Sequence, residues 1–159
     1  FHDITNSAIG ADAGAVIGNT FHNVGTAIGS GSEVRNNIIM TASTHIAADV
    51  GPCSHNLAYQ SGAAVNVDNG CTNQLNVNPL FVNAAALDFH LQPNSPARDS
   101  GMVASQYQTF LAAIGVTLAV DQDGEVRPQG GVWDRGAFEY AGGVVAVPTP
   151  AAPTSLVVQ

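Results

Sequence analysis

The sequence predicts an all-β fold, a solenoid in which short strands stack in coils of about 18 to 20 residues. An apolar column recurs at nearly constant spacing, and the remaining apolar residues lie in short β-branched runs broken by Gly, Asn and Ser. Such runs are typical of strands joined by turns, and no helical period fits them. A repeat this short cannot bury its own apolar face, so its copies must stack. The column consists of Val16, Val34, Cys53 and Cys71.

A tetrapeptide at the start of the chain supports the same repeat. Phe1-His2-Asp3-Ile4 returns one repeat later as Phe21-His22-Asn23-Val24. A second apolar column, with nearly the same spacing as the first, consists of Ile9, Ile28 and Ile46. We expect both apolar columns to point into a shared core, because each copy covers the apolar face of the next.

Amide side chains follow three positions after each member of the first column. Asn tolerates the left-handed turn conformation, and its side chain can bond nearby backbone. Strands that pair lie roughly 4.8 Å apart, so amides on successive coils can also bond each other. The alternative is that Asn is simply common in turns. The predicted amide column consists of Asn19, Asn37, Asn56 and Gln74.

The two cysteines are predicted to form a disulfide. Cys53 and Cys71 belong to one column, so they should lie above each other on adjacent coils with their Cα atoms about 5 Å apart. The alternative is two buried thiols that behave as small hydrophobic groups. A disulfide implies an oxidising compartment, either extracellular or periplasmic.

Composition excludes some classes of function. The chain has 159 residues, which suit one domain with a real core, and charged residues make up only 10% of it. A net charge of −8 argues against binding nucleic acid or an anionic membrane through a basic patch. No apolar run is long enough to span a bilayer, and no signal peptide is recognisable.

The pattern divides the chain into three segments. Residues 1–77 are predicted to form the parallel coils, and the turn-rich stretch Asn66–Gly70 is expected to bulge from them. Residues 78–140 are predicted to form the last coil and an irregular C-terminal cap, with one short helix over 102–115. Residues 141–159 read as a Pro-rich linker whose end resembles the first strand of a fibronectin type III module.

Four motifs in the second segment carry a resemblance to a known family. In order they are NPLFV, DFHLQPNSPARDSG, DQDGEVRP and DRGAFEY, all within residues 78–140. This run resembles the end of secreted bacterial parallel β-helix proteins of the choice-of-anchor Q domain type. The resemblance implies a right-handed parallel β-helix in an exported, often cell-surface protein. The superfamily includes polysaccharide lyases, pectin-degrading hydrolases and many proteins without known activity, so the resemblance bears on fold more than on function.

No catalytic residues are predicted in this chain. A β-helix lyase needs a basic side chain and often calcium, and the predicted coils contain Arg35 as their one basic residue other than His. A glycoside hydrolase needs two carboxylates that face one cleft, and the acidic residues of the coils share no column. The stacked pair His2 and His22 lacks a third ligand at a fixed spacing, so it is expected to be solvated rather than to bind a metal.

Calcium is the one cofactor that the sequence allows. Asp121-x-Asp123-Gly124 resembles the opening of a calcium loop, but Val132 stands where the bidentate Glu should be. The preferred alternative is that the arginines of this region pair with its carboxylates.

Three hypotheses about function follow. The first is a non-catalytic structural or adhesive module of a secreted or cell-surface bacterial protein that contacts polysaccharide. The second is the C-terminal part of a polysaccharide lyase or glycoside hydrolase whose catalytic coils lie upstream. The third is an extracellular fibre subunit that self-associates through an open N-terminal end. It rests on the start of the chain at Phe1, within a repeat, and on an apolar tail at Val144–Val147 or Leu156–Val158 as strand donor.

Overall fold

The structure is a computed structural model, and it describes residues 1–10, 14–47, 50–59, 71–103 and 119–142. No helix within these ranges is long and apolar enough to cross a membrane. The strands of the described residues, in chain order, are β1 (His2–Ile9), β2 (Ala15–Ile17), β3 (Thr20–Ile28), β4 (Glu33–Arg35), β5 (Ile38–Ile46), β6 (Cys53–Ser54), β7 (Leu57–Tyr59), β8 (Phe81–Asn83) and β9 (Asp88–Leu91).

The larger sheet has four parallel strands in the order β1-β3-β5-β7. Its β-branched and aromatic residues favour an extended backbone, and their alternation places one set toward the core. Residues one repeat apart pair across it, as in Ile9 with Ile28 and Ile28 with Ile46. The repeat therefore corresponds to direct pairing between parallel strands.

The smaller sheet has three short parallel strands in the order β2-β4-β6. Val16 pairs with Val34, and Val34 pairs with Cys53. These are successive members of the first apolar column, and Val34 is completely buried between its neighbours.

The third sheet is the antiparallel pair of β8 and β9. A single 3-10 turn, Ala84–Ala86, joins the two strands. The side chain of Asn83 accepts a hydrogen bond from the Ala86 backbone N–H at 3.2 Å, and Leu87 ends the turn in the left-handed conformation. This β8–β9 hairpin packs on the larger sheet, because Phe81 and Leu91 join Ile38 and Leu57 in one apolar cluster.

The main core lies between the two parallel sheets. Its centre consists of fully or nearly fully buried apolar side chains from both apolar columns, and Ile9 packs against them from the edge strand. The columns were predicted to point inward, and the burial of Val16, Val34, Ile28 and Ile46 agrees with that expectation.

The predicted fold class, a right-handed parallel β-helix, is wrong. The described strands form only short sheets, two of them parallel and one antiparallel, and no solenoid results. The reason lies in two long strands: Thr20–Ile28 and Ile38–Ile46 each continue as one strand of 9 residues, whereas the sequence predicted short strands joined by turns. The described residues contain no helix apart from the 3-10 turn.

Several predictions concern residues outside the described ranges. These are most of the helix over 102–115, the bulge at Asn66–Gly70, the linker beyond residue 142 and the strand donors Val144–Val147 and Leu156–Val158. The division of the chain after residues 77 and 140 stays a prediction.

Candidate functional site

A groove with both polar and apolar lining residues opens on the solvent side of the larger sheet. Its volume is about 360 Å³, and strands β1, β3 and β5 all contribute to it. The outward-facing side chains of Asp3, Thr5, Asn23 and Ser43 are exposed, whereas Val24 faces the core. The groove is lined by Asp3, Ile4, Thr5, Asn23, Val24, Gly25 and Ser43.

Three corresponding positions in β1, β3 and β5 share one unusual backbone conformation. Asp3, Asn23 and Thr41 adopt the left-handed conformation, with φ of 53°, 53° and 59°. Asp and Asn tolerate this region, but a β-branched Thr enters it rarely. Residue type thus favours the left-handed conformation at the two groove positions, Asp3 and Asn23, whereas at Thr41 the surrounding sheet must impose it.

Gly25 forms the floor of the groove at a β-bulge. The register of β1 against β3 shifts between Ile4 and Ser7, so Thr5 and Asn6 both lie opposite Gly25. A Cβ atom on Gly25 would overlap the backbone oxygen of Thr5 and lie 2.9 Å from that of Asn6. Only glycine fits this close approach of the two backbones.

Asp3 is the charged group of the groove. The Asn23 side chain donates a hydrogen bond of 2.6 Å to one carboxylate oxygen, and Nδ1 of His2 lies 3.2 Å from the other. The bond from Asn23, and then the bond from His2, hold the pKa of Asp3 below its usual range. The groove therefore presents an ionised, preoriented acceptor to solvent through the neutral pH range.

His2 and His22 lie beside this groove as paired residues on neighbouring strands. The ring of His22 lies 5.3 Å from that of Phe89, and burial lowers its pKa. Within the described ranges no three His, Cys, Asp or Glu residues gather as a metal site would require. The two imidazoles stand in register, and the expectation that they bind no metal stays a prediction.

The predicted amide column forms a hydrogen-bonded ladder at its first three positions. The Asn37 amide donates to Val16 O at 2.8 Å and to Asn56 Oδ1 at 2.9 Å, and its own Oδ1 accepts bonds from the backbone and side chain of Asn19. Asn37 and Asn56 are completely buried. Gln74 departs from the ladder, since its amide lies 3.7 Å from Cys53 Sγ. The ladder is an internal framework rather than a binding surface.

The disulfide between Cys53 and Cys71 is present, which confirms that prediction. Their Cα atoms lie 4.4 Å apart, and the bond closes a sequence separation of 18 residues. A disulfide is compatible with an extracellular protein.

Asp121 and Asp123 stand close in sequence but serve different partners. One oxygen of Asp121 accepts the backbone N–H groups of Asp123 and Glu125, and the other accepts that of Glu139, each at 2.8 Å. Asp123 instead places its Oδ2 atom 2.6 Å from His90 Nε2. Calcium requires oxygen ligands that converge on one point, whereas N–H donors surround Asp121. The calcium site stays a prediction, and these positions do not support it.

One buried ion pair, Arg127 with Glu139, stabilises the C-terminal segment, residues 119–142. Arg127 Nη1 lies 3.5 Å from Glu139 Oε2, and both side chains are buried. Arg127 also donates a 3.0 Å hydrogen bond to the backbone oxygen of Gly136. The preferred alternative to calcium, an arginine paired with a carboxylate, is therefore seen at this pair.

Arg135 joins the C-terminal segment to the sheets through backbone oxygens. It donates to Ser100 O, to Asn56 O at 2.8 Å and to Asn73 O at 3.1 Å. Burial lowers the pKa of Arg135 to about 10. Its partners lie on three separate stretches of chain, so no sequence spacing could have identified them.

Two buried carboxylates in the same segment accept backbone N–H groups. Asp134 accepts from Asp99 at 2.7 Å and from Tyr140 at 2.6 Å. Glu139 accepts from Gln129 at 3.0 Å. Burial raises the pKa of both carboxyl groups above their usual values. The two carboxylates accept backbone hydrogen bonds that a neighbouring strand would accept in a sheet, in a segment that contains little regular structure.

Sequence reasoning missed the groove but contained a signal for it. The tetrapeptide repeat placed Asp3 and Asn23 in register, and Gly25 directly follows the second copy. A bulge opposite that glycine depends on the pairing of two strands, so it cannot be read from either strand alone.

Comparisons of this chain with protein-family models, with curated proteins and with solved structures found no match. The resemblance of residues 78–140 to secreted proteins of the choice-of-anchor Q domain type accordingly stays a prediction.

Proposed function

We propose that this chain is a non-catalytic structural or adhesive module of a secreted or cell-surface bacterial protein, and that it contacts polysaccharide through the groove at Asp3 and Asn23. The observation that carries the proposal is the groove itself. It is open, it crosses three strands and it presents a carboxylate, an amide and two hydroxyls to solvent.

The groove offers the hydrogen-bonding groups that sugar hydroxyls need. A hydroxyl both donates and accepts, so it can donate to the Asp3 carboxylate while it accepts from an Asn or Ser side chain. Hydrogen bonds to an ionised acceptor are about twice as strong as those between neutral groups. Asp3 is held in place by Asn23 before any ligand arrives, which reduces the ordering cost of binding.

The negative charge of the chain and of the groove should determine which class of polysaccharide binds. The chain has a net charge of −8, and the one ionised group of the groove is a carboxylate. Like charges repel, so polymers rich in uronic acid should bind poorly. We therefore expect a neutral polysaccharide as the ligand. The disulfide is compatible with the extracellular location where such a polymer would be met.

The test is a glycan array followed by calorimetry on the best neutral glycan. Asp3→Asn keeps the shape and tolerates the left-handed backbone but removes the charge, and it should weaken binding about tenfold through the loss of ~1.5 kcal/mol. Asn23→Ala should also weaken binding because it frees the carboxylate to move.

Asn94→Ala is the matched control, since Asn94 is exposed and does not line the groove. The proposal fails if the wild-type chain binds no neutral glycan, or if Asp3→Asn and Asn94→Ala bind equally well.

A further inference from the structure

A histidine clamped between two carboxylates joins the β8–β9 hairpin to the C-terminal segment. Nδ1 of His90, on β9, lies 2.6 Å from Asp88 Oδ1. Nε2 of the same ring lies 2.6 Å from Asp123 Oδ2, which comes from a distant turn in the C-terminal segment. The ring also lies against Phe138, with their centroids 4.3 Å apart.

The two short contacts require a particular protonation state. A neutral imidazole carries one N–H, so it can donate to only one of two ionised carboxylates. Its other nitrogen would then turn a lone pair toward a negatively charged oxygen. An imidazolium donates from both nitrogens, and both of these bonds are then assisted by charge. Both contacts can therefore be hydrogen bonds at the same time only when His90 is protonated.

We propose that Asp88, His90 and Asp123 form a pH-dependent latch that fastens the C-terminal segment to the β8–β9 hairpin and loosens when His90 loses its proton. The contact with Asp88 is local, and the backbone N–H of His90 also bonds Asp88 at 3.2 Å. The contact with Asp123 is the one that crosses between the two parts of the chain. Whichever tautomer remains after deprotonation, that contact is either lost or no longer strengthened by a positive charge on the donor.

The surroundings of His90 set the direction of the switch. Partial burial lowers the pKa of His90, but the hydrogen bonds to Asp123 and Asp88, together with their charges, outweigh it and raise the pKa above 6.5. The hydrogen bond to His90 lowers the pKa of Asp88 below 3.8. Phe138 and strand β8 contribute no charged side chain, and the carboxylate of Asp121 in the same turn is directed at backbone N–H groups.

The pH window follows from these directions. A raised native pKa of His90 stabilises the latched state fully below pH 6.5, and this stabilisation is lost as the pH rises through the native value. The lowered pKa of Asp88 adds stabilisation above 3.8, which is lost only as the pH falls through its native value. The latch is thus closed in mildly acidic solution and loosened in alkaline solution.

Two separate measurements follow the protonation of His90 and the local opening of the C-terminal segment. Proton NMR of the intact chain should show His90 titrating above 6.5, and Asp123→Asn should lower that pKa. Hydrogen exchange, corrected for intrinsic rates, should show a loss of protection of about two- to fivefold over residues 121–125 across the same pH range, as expected for one exposed charged contact.

Glu125→Gln is the matched control, because it removes one negative charge from the same turn and leaves both contacts of His90 in place. It should retain the wild-type profile in both measurements. The latch is overturned if His90 of the wild-type chain titrates at or below 6.5, or if protection over 121–125 is independent of pH. Equal effects of Asp123→Asn and Glu125→Gln would likewise refute it, since they would show general electrostatics instead of a specific contact.

Discussion

The amide ladder allows one quantitative prediction about stability. Replacing Asn37 with Ala removes four hydrogen bonds: two donated by its amide, to Val16 O and Asn56 Oδ1, and two accepted by its Oδ1 from Asn19. Asn37 is completely buried, so water cannot take its place. At a net value of ~1 kcal/mol for each bond, the free energy of unfolding should fall by about 4 kcal/mol.

The same change at the end of the ladder provides the control. Asn19 is only partly buried, and its side chain donates two bonds of 3.2 Å, to Ile17 O and Asn37 Oδ1. Water can replace part of these, so Asn19→Ala should cost about 1 kcal/mol. The substitution is the same in both variants, and the two positions differ in how deeply the Asn side chain is buried.

Urea unfolding followed by circular dichroism measures the difference. With a slope of about 2 kcal/mol per molar urea, Asn37→Ala should move the midpoint down by about 2 M and Asn19→Ala by about 0.5 M. Similar midpoints for the two variants would refute the reasoning, because burial of the Asn37 amide would then carry no energetic weight.

Three further predictions concern the disulfide, the bulge and the buried carboxyl group of Glu139. Reducing Cys53–Cys71 should lower stability by about 3 kcal/mol, measured by thermal melting with and without reductant; an unchanged melting temperature would contradict this. Gly25→Ala should cost about 1 to 3 kcal/mol because the new Cβ would overlap a backbone oxygen, whereas Gly131→Ala, with nothing within 4 Å, should melt like wild type. Burial raises the pKa of Glu139, so the protonated side chain stabilises the fold fully below pH 4.5, and this stabilisation is lost as the pH rises through the native pKa. The free energy of unfolding of the wild-type chain should therefore fall relative to that of Glu139→Gln over this range, and a difference that does not change with pH would disprove it.

The contacts between repeats are the part of this structure that could be predicted from the sequence. The nearly constant spacing of the repeat identified which residues would meet across parallel strands, and Val16, Val34 and Cys53 do pair in succession. The same spacing predicted the disulfide and most of the amide ladder. Pairing between copies of a repeat needs only the spacing, since equivalent residues lie at equivalent places.

The predicted fold class is wrong because the spacing of a repeat does not show where each strand ends. The sequence was interpreted as short strands joined by turns, but Asn23 and Thr41 lie inside the long strands β3 and β5. In the structure both residues adopt left-handed angles, and the hydrogen-bonded pairing with the neighbouring strand continues past them. Whether a bend interrupts a strand depends on the partner strand, and only the assembled sheet determines that.

By itself the sequence determined the residues that repeat: the two apolar columns, the amides three positions further on and the paired cysteines. Only the tertiary structure decided the contacts that occur once, such as Gly25 opposite a bulge, Arg135 on three backbone oxygens and His90 between Asp88 and Asp123. The physical reason is that a repeated contact leaves a period in the chain. A single contact between distant residues leaves none, because it arises from how the loops and the C-terminal segment come together over the sheets.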